Sequence, residues 1–172
     1  MKLRTSLSIP ILMLGAVLVT GCASSSPPLN FGDGSIGNLW YWVEDRKRAG
    51  DLDQTLIYMD KLIELHSAEA REMQASLSDY PPMKDIYNYG ALNGVGMALV
   101  GKGEILMEKG DVAGSREAFN TIIRDFSYAQ YQDDTLIPDY SYAQYQDDST
   151  QEWLKAAEVA ELKLLELQAD SN

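Results

Sequence analysis

Cysteine and histidine, two side-chain types common in catalytic and metal sites, occur once each in this sequence. Cys22 is the only cysteine and His66 the only histidine among 172 residues. Zinc sites use several such ligands, and Ser-His-Asp hydrolysis would depend on the single histidine. We therefore interpret His66 as a surface residue near a helix end. We expect no metal, no cofactor and no enzymatic activity.

Cys22 stands out because of the residues around it. The basic stretch Met1–Arg4 precedes an apolar run from Ile9 to Val19, which is the pattern of a secretory signal. This run is shorter than the roughly 20 residues of a membrane-spanning helix. The tetrapeptide Val19-Thr20-Gly21-Cys22 resembles the lipobox of bacterial lipoproteins. An ordinary signal peptide with a chance cysteine is the alternative.

The lipobox resemblance implies removal of residues 1–21 and acylation of both the thiol and the new amino terminus of Cys22. Acyl chains would then hold a water-soluble domain on a membrane. Ala23 is not the aspartate that retains enterobacterial lipoproteins in the inner membrane. The resemblance therefore implies the outer membrane, with the domain on its periplasmic face.

The charge of the chain excludes one class of partner. Without residues 1–21 there remain 151 residues, enough for one domain with a sizeable core, with 12 basic and 26 acidic side chains and a net charge of −14. Nucleic-acid phosphates would be repelled by such a chain, so we expect no nucleic-acid partner. With Cys22 acylated, no thiol is left for a disulfide bond.

Two further patterns approach ligand-binding motifs without completing them. Gly96–Gly103 has nearly the spacing of a phosphate-binding loop, but Gly103 stands where a Mg²⁺-binding hydroxyl is needed, and no strand character precedes it. We predict that these glycines allow close helix packing and bind no nucleotide. The pairs Asp133-Asp134 and Asp147-Asp148 lack the spacing of a calcium loop.

Turn residues and helical periodicity predict an all-α fold, because Val and Ile are sparse and no period-2 alternation is sustained. Residues 22–37, rich in Ser, Pro and Gly, are predicted to be the acylated cysteine and a flexible tether, and residues 38–172 the helical domain. The first predicted helix runs from Asn38 to a break at Gly50, and the second from a cap at Asp51 or Asp53 to Tyr80-Pro81-Pro82. The third runs from after Pro82 to Lys109, and the fourth from Asp111 past Ile123. The fifth covers Gln151–Gln168, and its apolar residues are Trp153, Leu154, Ala157, Leu162, Leu164 and Leu165.

Two segments of the domain share a pattern. Each has a Gly-Asp turn, then a small residue five positions after the glycine (Thr55 and Ser115), then a bulky one four positions later (Met59 and Phe119). Both resemble the turn and second helix of a tetratricopeptide repeat. The two turns lie 60 residues apart, whereas the family period is about 34 residues, so the repeats are divergent. A generic helical bundle with two such turns is the alternative.

The tetratricopeptide resemblance implies helical hairpins with a C-terminal capping helix, and a concave groove lined by the first helix of each repeat. An aromatic anchor among mixed charges would suit an extended peptide or a partner helix. Equally, Trp40 with Tyr41 and Trp42 could plug the N-terminal end of the core. Trp42 faces the core if Leu39 and Val43 do, and Trp40 then points elsewhere. By this resemblance, the groove residues of the first repeat are Trp40, Glu44, Lys47 and Arg48, and those of the second are Val100, Glu104, Met107 and Glu108.

An eight-residue segment occurs twice near the C-terminal end of the chain. Ser127–Asp134 reads Ser-Tyr-Ala-Gln-Tyr-Gln-Asp-Asp and recurs at Ser141–Asp148, 14 residues later. Such identity indicates a recent local duplication. We interpret residues 127–148 as a polar surface insert before the capping helix, with a Tyr-rich binding loop as the alternative.

Together these patterns predict an adaptor lipoprotein of the outer membrane. It would bind a protein or peptide partner in envelope assembly or secretion. A permanent structural or regulatory subunit of a secretion, pilus or cell-wall machine, bound through the C-terminal helix, is the alternative. A cell-wall enzyme is a weaker one.

Overall fold

A computed structural model describes residues 28–132 and 153–169, and within these ranges the chain is mostly helical. The helices pack around α3, the most buried of them, and a short antiparallel sheet covers one side of α3. None of the described helices is long and apolar enough to cross a membrane. The elements are α1 (Ile36–Arg48), α2 (Leu52–Ser76), a 3₁₀ helix (Met83–Tyr89), α3 (Gly90–Glu108), α4 (Val112–Asp125), β1 (Gln130–Gln132), β2 (Trp153–Lys155) and α5 (Ala156–Ala169).

The two Gly-Asp turns end one helix and begin the next in the same way. Gly50 and Gly110 adopt φ angles of +72° and +77°, which glycine reaches without steric cost. Asp51 then accepts the backbone N–H of Gln54 at 3.1 Å, and Asp111 accepts that of Gly114 at 2.9 Å. These carboxylates satisfy N–H groups that a helix start leaves without partners. The predicted breaks between α1 and α2 and between α3 and α4 are therefore confirmed.

Small residues bring the helices of the core into close contact. The Ser115 hydroxyl donates to the Gly103 carbonyl at 2.8 Å, joining α4 to α3. A Cβ atom on Gly103 would lie 2.5 Å from Cε1 of Phe119, and one on Gly101 would lie 2.6 Å from Cε of Met59. The prediction that these glycines serve close packing is confirmed.

The described chain departs from the all-α expectation in its short sheet. β1 pairs with β2 in antiparallel register, Tyr131 opposite Leu154. Trp153 and Leu154 therefore lie in a strand, and α5 begins at Ala156 instead of Gln151. Further along α5, Leu162 and Leu165 are 61% and 60% exposed. The third predicted helix likewise begins later, since a 3₁₀ helix occupies its first seven residues.

The first copy of the duplicated segment is part of the folded domain. The Gln74 side chain donates to the Ser127 hydroxyl and accepts the Tyr128 N–H, both at 3.0 Å. Asn93 of α3 accepts the Gln130 N–H at 2.9 Å, and Ala129 is fully buried. Interpreting this copy as a polar surface insert is therefore wrong for residues 127–132. The second copy lies outside the described residues.

The last part of the predicted tether packs along α2. The Asn30 N–H donates to the Tyr58 hydroxyl at 2.9 Å, and Phe31 meets the Tyr58 ring edge-on. Four residues after Asn30, the carbonyl oxygen of Gly34 lies 2.9 Å from His66 Nε2. The structure thus differs from the predicted tether boundary at Gly37, because the fixed part of the chain already includes Asn30. Cys22 lies outside the described residues.

Candidate functional site

An open cleft lies between the first helices of the two predicted repeats. It measures about 430 Å³. Five of the eight residues predicted for a groove line it, whereas Arg48, Met107 and Glu108 are absent from its lining. We call this concavity the α1–α3 cleft. Its predicted lining residues are Trp40, Glu44, Lys47, Val100 and Glu104, and the others are Met59, Met97, Gly101, Tyr131, Gln132, Leu154 and Val159.

Apolar and sulfur-containing side chains make up much of this cleft. Met59 reaches it from α2, and Met97 and Val100 line it from α3. Met59 fits beside α3 because Gly101 has no Cβ atom in its way. Met59 is almost fully buried, whereas Met97 is partly exposed, so Met97 is the flexible and polarizable side chain that can adapt to a ligand.

The sheet forms a wall of the cleft that the sequence did not indicate. Tyr131 and Gln132 of β1 and Leu154 of β2 line it, together with Val159 of α5. The duplicated segment was the available signal, because its first copy supplies Tyr131 and Gln132. Composition alone favoured a surface insert, since nothing in the sequence showed that Gln74 and Asn93 would hold this copy in place.

A smaller concavity of about 210 Å³ continues the cleft toward the 3₁₀ helix. The two share Trp40, Met97, Tyr131 and Gln132, and the smaller one extends to Tyr87 and Trp153. The ring of Tyr87 meets that of Trp153 edge-on at 5.9 Å. The joined concavities form an elongated surface with aromatic side chains along it, a shape suited to an extended ligand.

Mixed charges surround the apolar part of the cleft. Glu44 and Lys47 come from α1 and Glu104 from α3. Lys163 of α5 approaches Glu104, with Nζ 3.9 Å from the carboxylate. Glu104 and Lys47 are exposed, so solvent weakens their electrostatic contributions. Such exposed charges would influence the orientation of a ligand more than its affinity.

The tryptophans of α1 differ from the expected arrangement. Trp40 is 8% exposed and belongs to the core, and it is also among the residues that line the cleft. Trp42, which was expected to face the core, is only partly buried and stacks on Tyr58 at 6.0 Å. The packing of Trp40 in the core is therefore confirmed, whereas its role in binding a partner stays a prediction.

Clear pKa shifts among the described residues occur away from the cleft. Burial raises the pKa of the Tyr80 hydroxyl. Hydrogen bonding from Arg124 lowers the pKa of the Asp125 carboxyl, and hydrogen bonding to Glu158 raises that of the Lys155 ammonium. None of these groups lines the α1–α3 cleft. The cleft is therefore a candidate binding site by its shape and its lining side chains alone.

Across residues 28–132 and 153–169, no group of three His, Cys, Asp or Glu side chains is gathered as metal ligands would be. The interpretation of His66 as a surface residue near a helix end is wrong, because His66 is half-buried well inside α2 and contacts the Gly34 carbonyl, which holds the N-terminal segment against α2.

No protein-family model, curated protein or solved structure matches this chain.

Proposed function

We propose that this chain is a lipid-anchored scaffold protein that binds an extended peptide or a partner helix in the α1–α3 cleft. One observation carries the proposal. Five residues chosen from sequence as groove positions line one open concavity, although those on α1 lie more than 50 positions from those on α3 in the chain. A partner segment lying there would cover apolar side chains and meet mixed charges at the edges.

The divergent tetratricopeptide-like character of the domain belongs to the same proposal. It is supported by the two turns, which have the same glycine conformation and the same aspartate cap. Thr55 and Ser115 are both fully buried, as the small positions of the resemblance require. In this arrangement α1–α2 and α3–α4 are the two hairpins and α5 is the capping helix.

Membrane attachment through Cys22 rests on the lipobox resemblance and on the apolar run before it. Acyl chains on this residue would place the domain at the periplasmic face of the outer membrane. Fractionation of cells that express wild-type protein or Cys22→Ser tests this part separately. We expect the wild type in the membrane fraction and the variant released, and membrane retention of the variant would contradict the anchor.

Site-specific photo-crosslinking in cells tests the cleft. Lys47 and Arg48 are neighbouring, exposed cations of α1, but only Lys47 lines the cleft. A benzoylphenylalanine at position 47 is expected to capture a defined partner, and the same group at position 48 serves as the matched control. Equal capture at both positions, or none at position 47, would contradict a partner in the cleft.

A second candidate is a permanent subunit that binds its partner through α5. It is favoured by Leu162 and Leu165, which are exposed on the described part of that helix. Placing the crosslinker at position 162 in the same experiment separates the two candidates. Capture at position 162 without capture at position 47 would favour the permanent subunit.

A further inference from the structure

Aromatic rings from the segment before α1, from α1 and from α2 form a continuous cluster, in which the buried ring of Tyr58 joins the outer rings. Phe31 lies 5.5 Å from Tyr58, Tyr58 lies 6.0 Å from Trp42, and Trp42 lies 5.4 Å from Tyr41. Tyr41, at the outer end of the row, is 64% exposed. Leu29, next to Asn30, is exposed as well. We call this surface, made by Leu29, Phe31, Tyr41 and Trp42, the aromatic face.

Two cations lie against the rings of this face. The Arg46 guanidinium is 5.8 Å from the centre of the Trp42 ring, and Lys61 Nζ is 5.8 Å from that of Phe31. Each also has an acidic neighbour, because Arg46 pairs with Asp45 and Lys61 Nζ lies 3.0 Å from Glu64. The cations and acids of the face therefore largely balance, and its apolar rings dominate its chemistry.

The position of the aromatic face in the chain suggests what covers it. Six residue steps separate Cys22 from Pro28, the first described residue. An extended chain spans at most about 3.6 Å per residue, so Cys22 lies within about 22 Å of Pro28. A domain of this size is roughly 40 Å across. Acyl chains on Cys22 would thus keep the surface beside Pro28 close to the bilayer and the far side of the domain away from it.

We propose that the aromatic face rests on the lipid headgroups of the membrane that holds Cys22. This inference rests on the proposed anchor. Tryptophan and tyrosine favour the membrane–water interface, where an apolar ring and a polar edge are both satisfied. Arg46 and Lys61 can direct their charged ends toward phosphates while their stems stay on the rings. A short link also raises the local concentration to the millimolar range, so weak contact suffices.

Contact through the aromatic face would fix the orientation of the domain. The α1–α3 cleft uses Trp40, Glu44 and Lys47, whereas the aromatic face uses Tyr41 and Trp42 of the same helix. The two surfaces therefore point in different directions from α1. The cleft would stay accessible to a partner while the domain lies on the membrane.

Coupling through the single thiol allows a test that does not depend on acylation in cells. The chain from Cys22 onward retains every described residue and has one cysteine, which can be joined to a maleimide lipid in phosphatidylcholine vesicles. Lipids brominated near the headgroups quench tryptophans that touch the interface. We expect quenching of the coupled protein, and we expect at least about a twofold loss of it in Trp42→Phe.

Tyr41→Ser and Tyr87→Ser form a matched pair. Both tyrosines are 64% exposed and each meets a tryptophan edge-on, but Tyr87 contacts Trp153 and lines the smaller concavity instead of the aromatic face. Tyr41→Ser should reduce quenching and Tyr87→Ser should not. Quenching should change little between 0.1 M and 0.5 M salt, roughly, because the face is nearly neutral.

Three outcomes would overturn the aromatic-face proposal: no quenching in the coupled wild type, equal quenching in Tyr41→Ser, or equal losses in the two tyrosine variants. None of them bears on the anchor, because the vesicle experiment supplies the lipid itself. The anchor is decided by the fractionation of Cys22→Ser. Circular dichroism of each variant confirms that the helices are intact.

Discussion

Replacing Gly103 by alanine should destabilise the domain, although alanine is the better helix former. The added Cβ would lie 2.5, 2.6 and 2.9 Å from three ring atoms of Phe119, whose side chain is fully buried and has no open space to move into. Forcing a methyl group into a packed core costs about 1–3 kcal/mol. Alanine recovers about 1 kcal/mol of helix propensity. Since three contacts fall below 3.0 Å, we expect a net loss of about 1–2 kcal/mol.

Urea denaturation followed by circular dichroism measures this loss, which should lower the melting temperature by on the order of 5 °C. Gly90→Ala is the matched control, because a Cβ there meets nothing within 4 Å. It should leave stability unchanged or raise it by up to about 1 kcal/mol. In the double variant with Phe119→Leu, the penalty of Gly103→Ala should shrink. A Gly103→Ala protein as stable as the wild type would refute the packing argument.

Three further predictions concern the cleft, the N-terminal segment and acid stability. Trp40→Ala should cost about 3–5 kcal/mol in urea denaturation, because most of the ring is in the core, and a loss under about 1 kcal/mol would show that the ring serves the cleft alone. Tyr58→Phe removes the acceptor of the Asn30 N–H, so exchange of that amide hydrogen should accelerate about fivefold; unchanged exchange would contradict the observed docking. The pKa of Asp125 is lowered in the folded state by the Arg124 hydrogen bond, so its contribution to stability is present above pH 3.8 and is lost as pH falls through the lowered pKa. Asp125→Asn should therefore show a flatter decline in stability below pH 3.8, and an identical decline would count against this ion pair.

Sequence reasoning was most successful where local chemistry decides the structure. Gly50 and Gly110 end helices because they adopt positive φ angles, and Asp51 and Asp111 begin the next helices because their carboxylates accept backbone N–H groups. Both effects act within a few residues, so the pattern is visible in the sequence.

The features that sequence reasoning missed depend on distant contacts. β1 and β2 have three residues each, too few for alternation to be visible, and 20 residues of sequence separate them. Asn93 and Gln74, which hold the strand segment, are ordinary polar helix residues until the fold brings them to it. The segment before α1 has the composition of a linker, and only its contacts with Tyr58 and His66 make it part of the domain.

The residues of the candidate site likewise fall into some that local spacing predicts and some that depend on distant contacts. Spacing along α1 and α3 was enough to choose five lining residues, because positions three and four apart share a helix face. The error at Trp40 and Trp42 arose because three consecutive aromatic residues, Trp40 to Trp42, cover most of the circumference of α1. Periodicity could not rank these three residues by burial. Their burial depended on how far each ring reaches into the core, which includes Tyr58.

The docked first copy of the duplicated segment has a consequence for the history of this chain. Removing residues 127–140 or residues 135–148 produces the same shorter sequence, with one copy of Ser-Tyr-Ala-Gln-Tyr-Gln-Asp-Asp directly after Phe126. That copy would keep every residue that contacts Gln74 and Asn93, and the link between the paired strands would shorten from 20 residues to 6. The shorter chain therefore retains all the parts of the wall beside the cleft. The duplication therefore added 14 residues without altering the sequence of this wall.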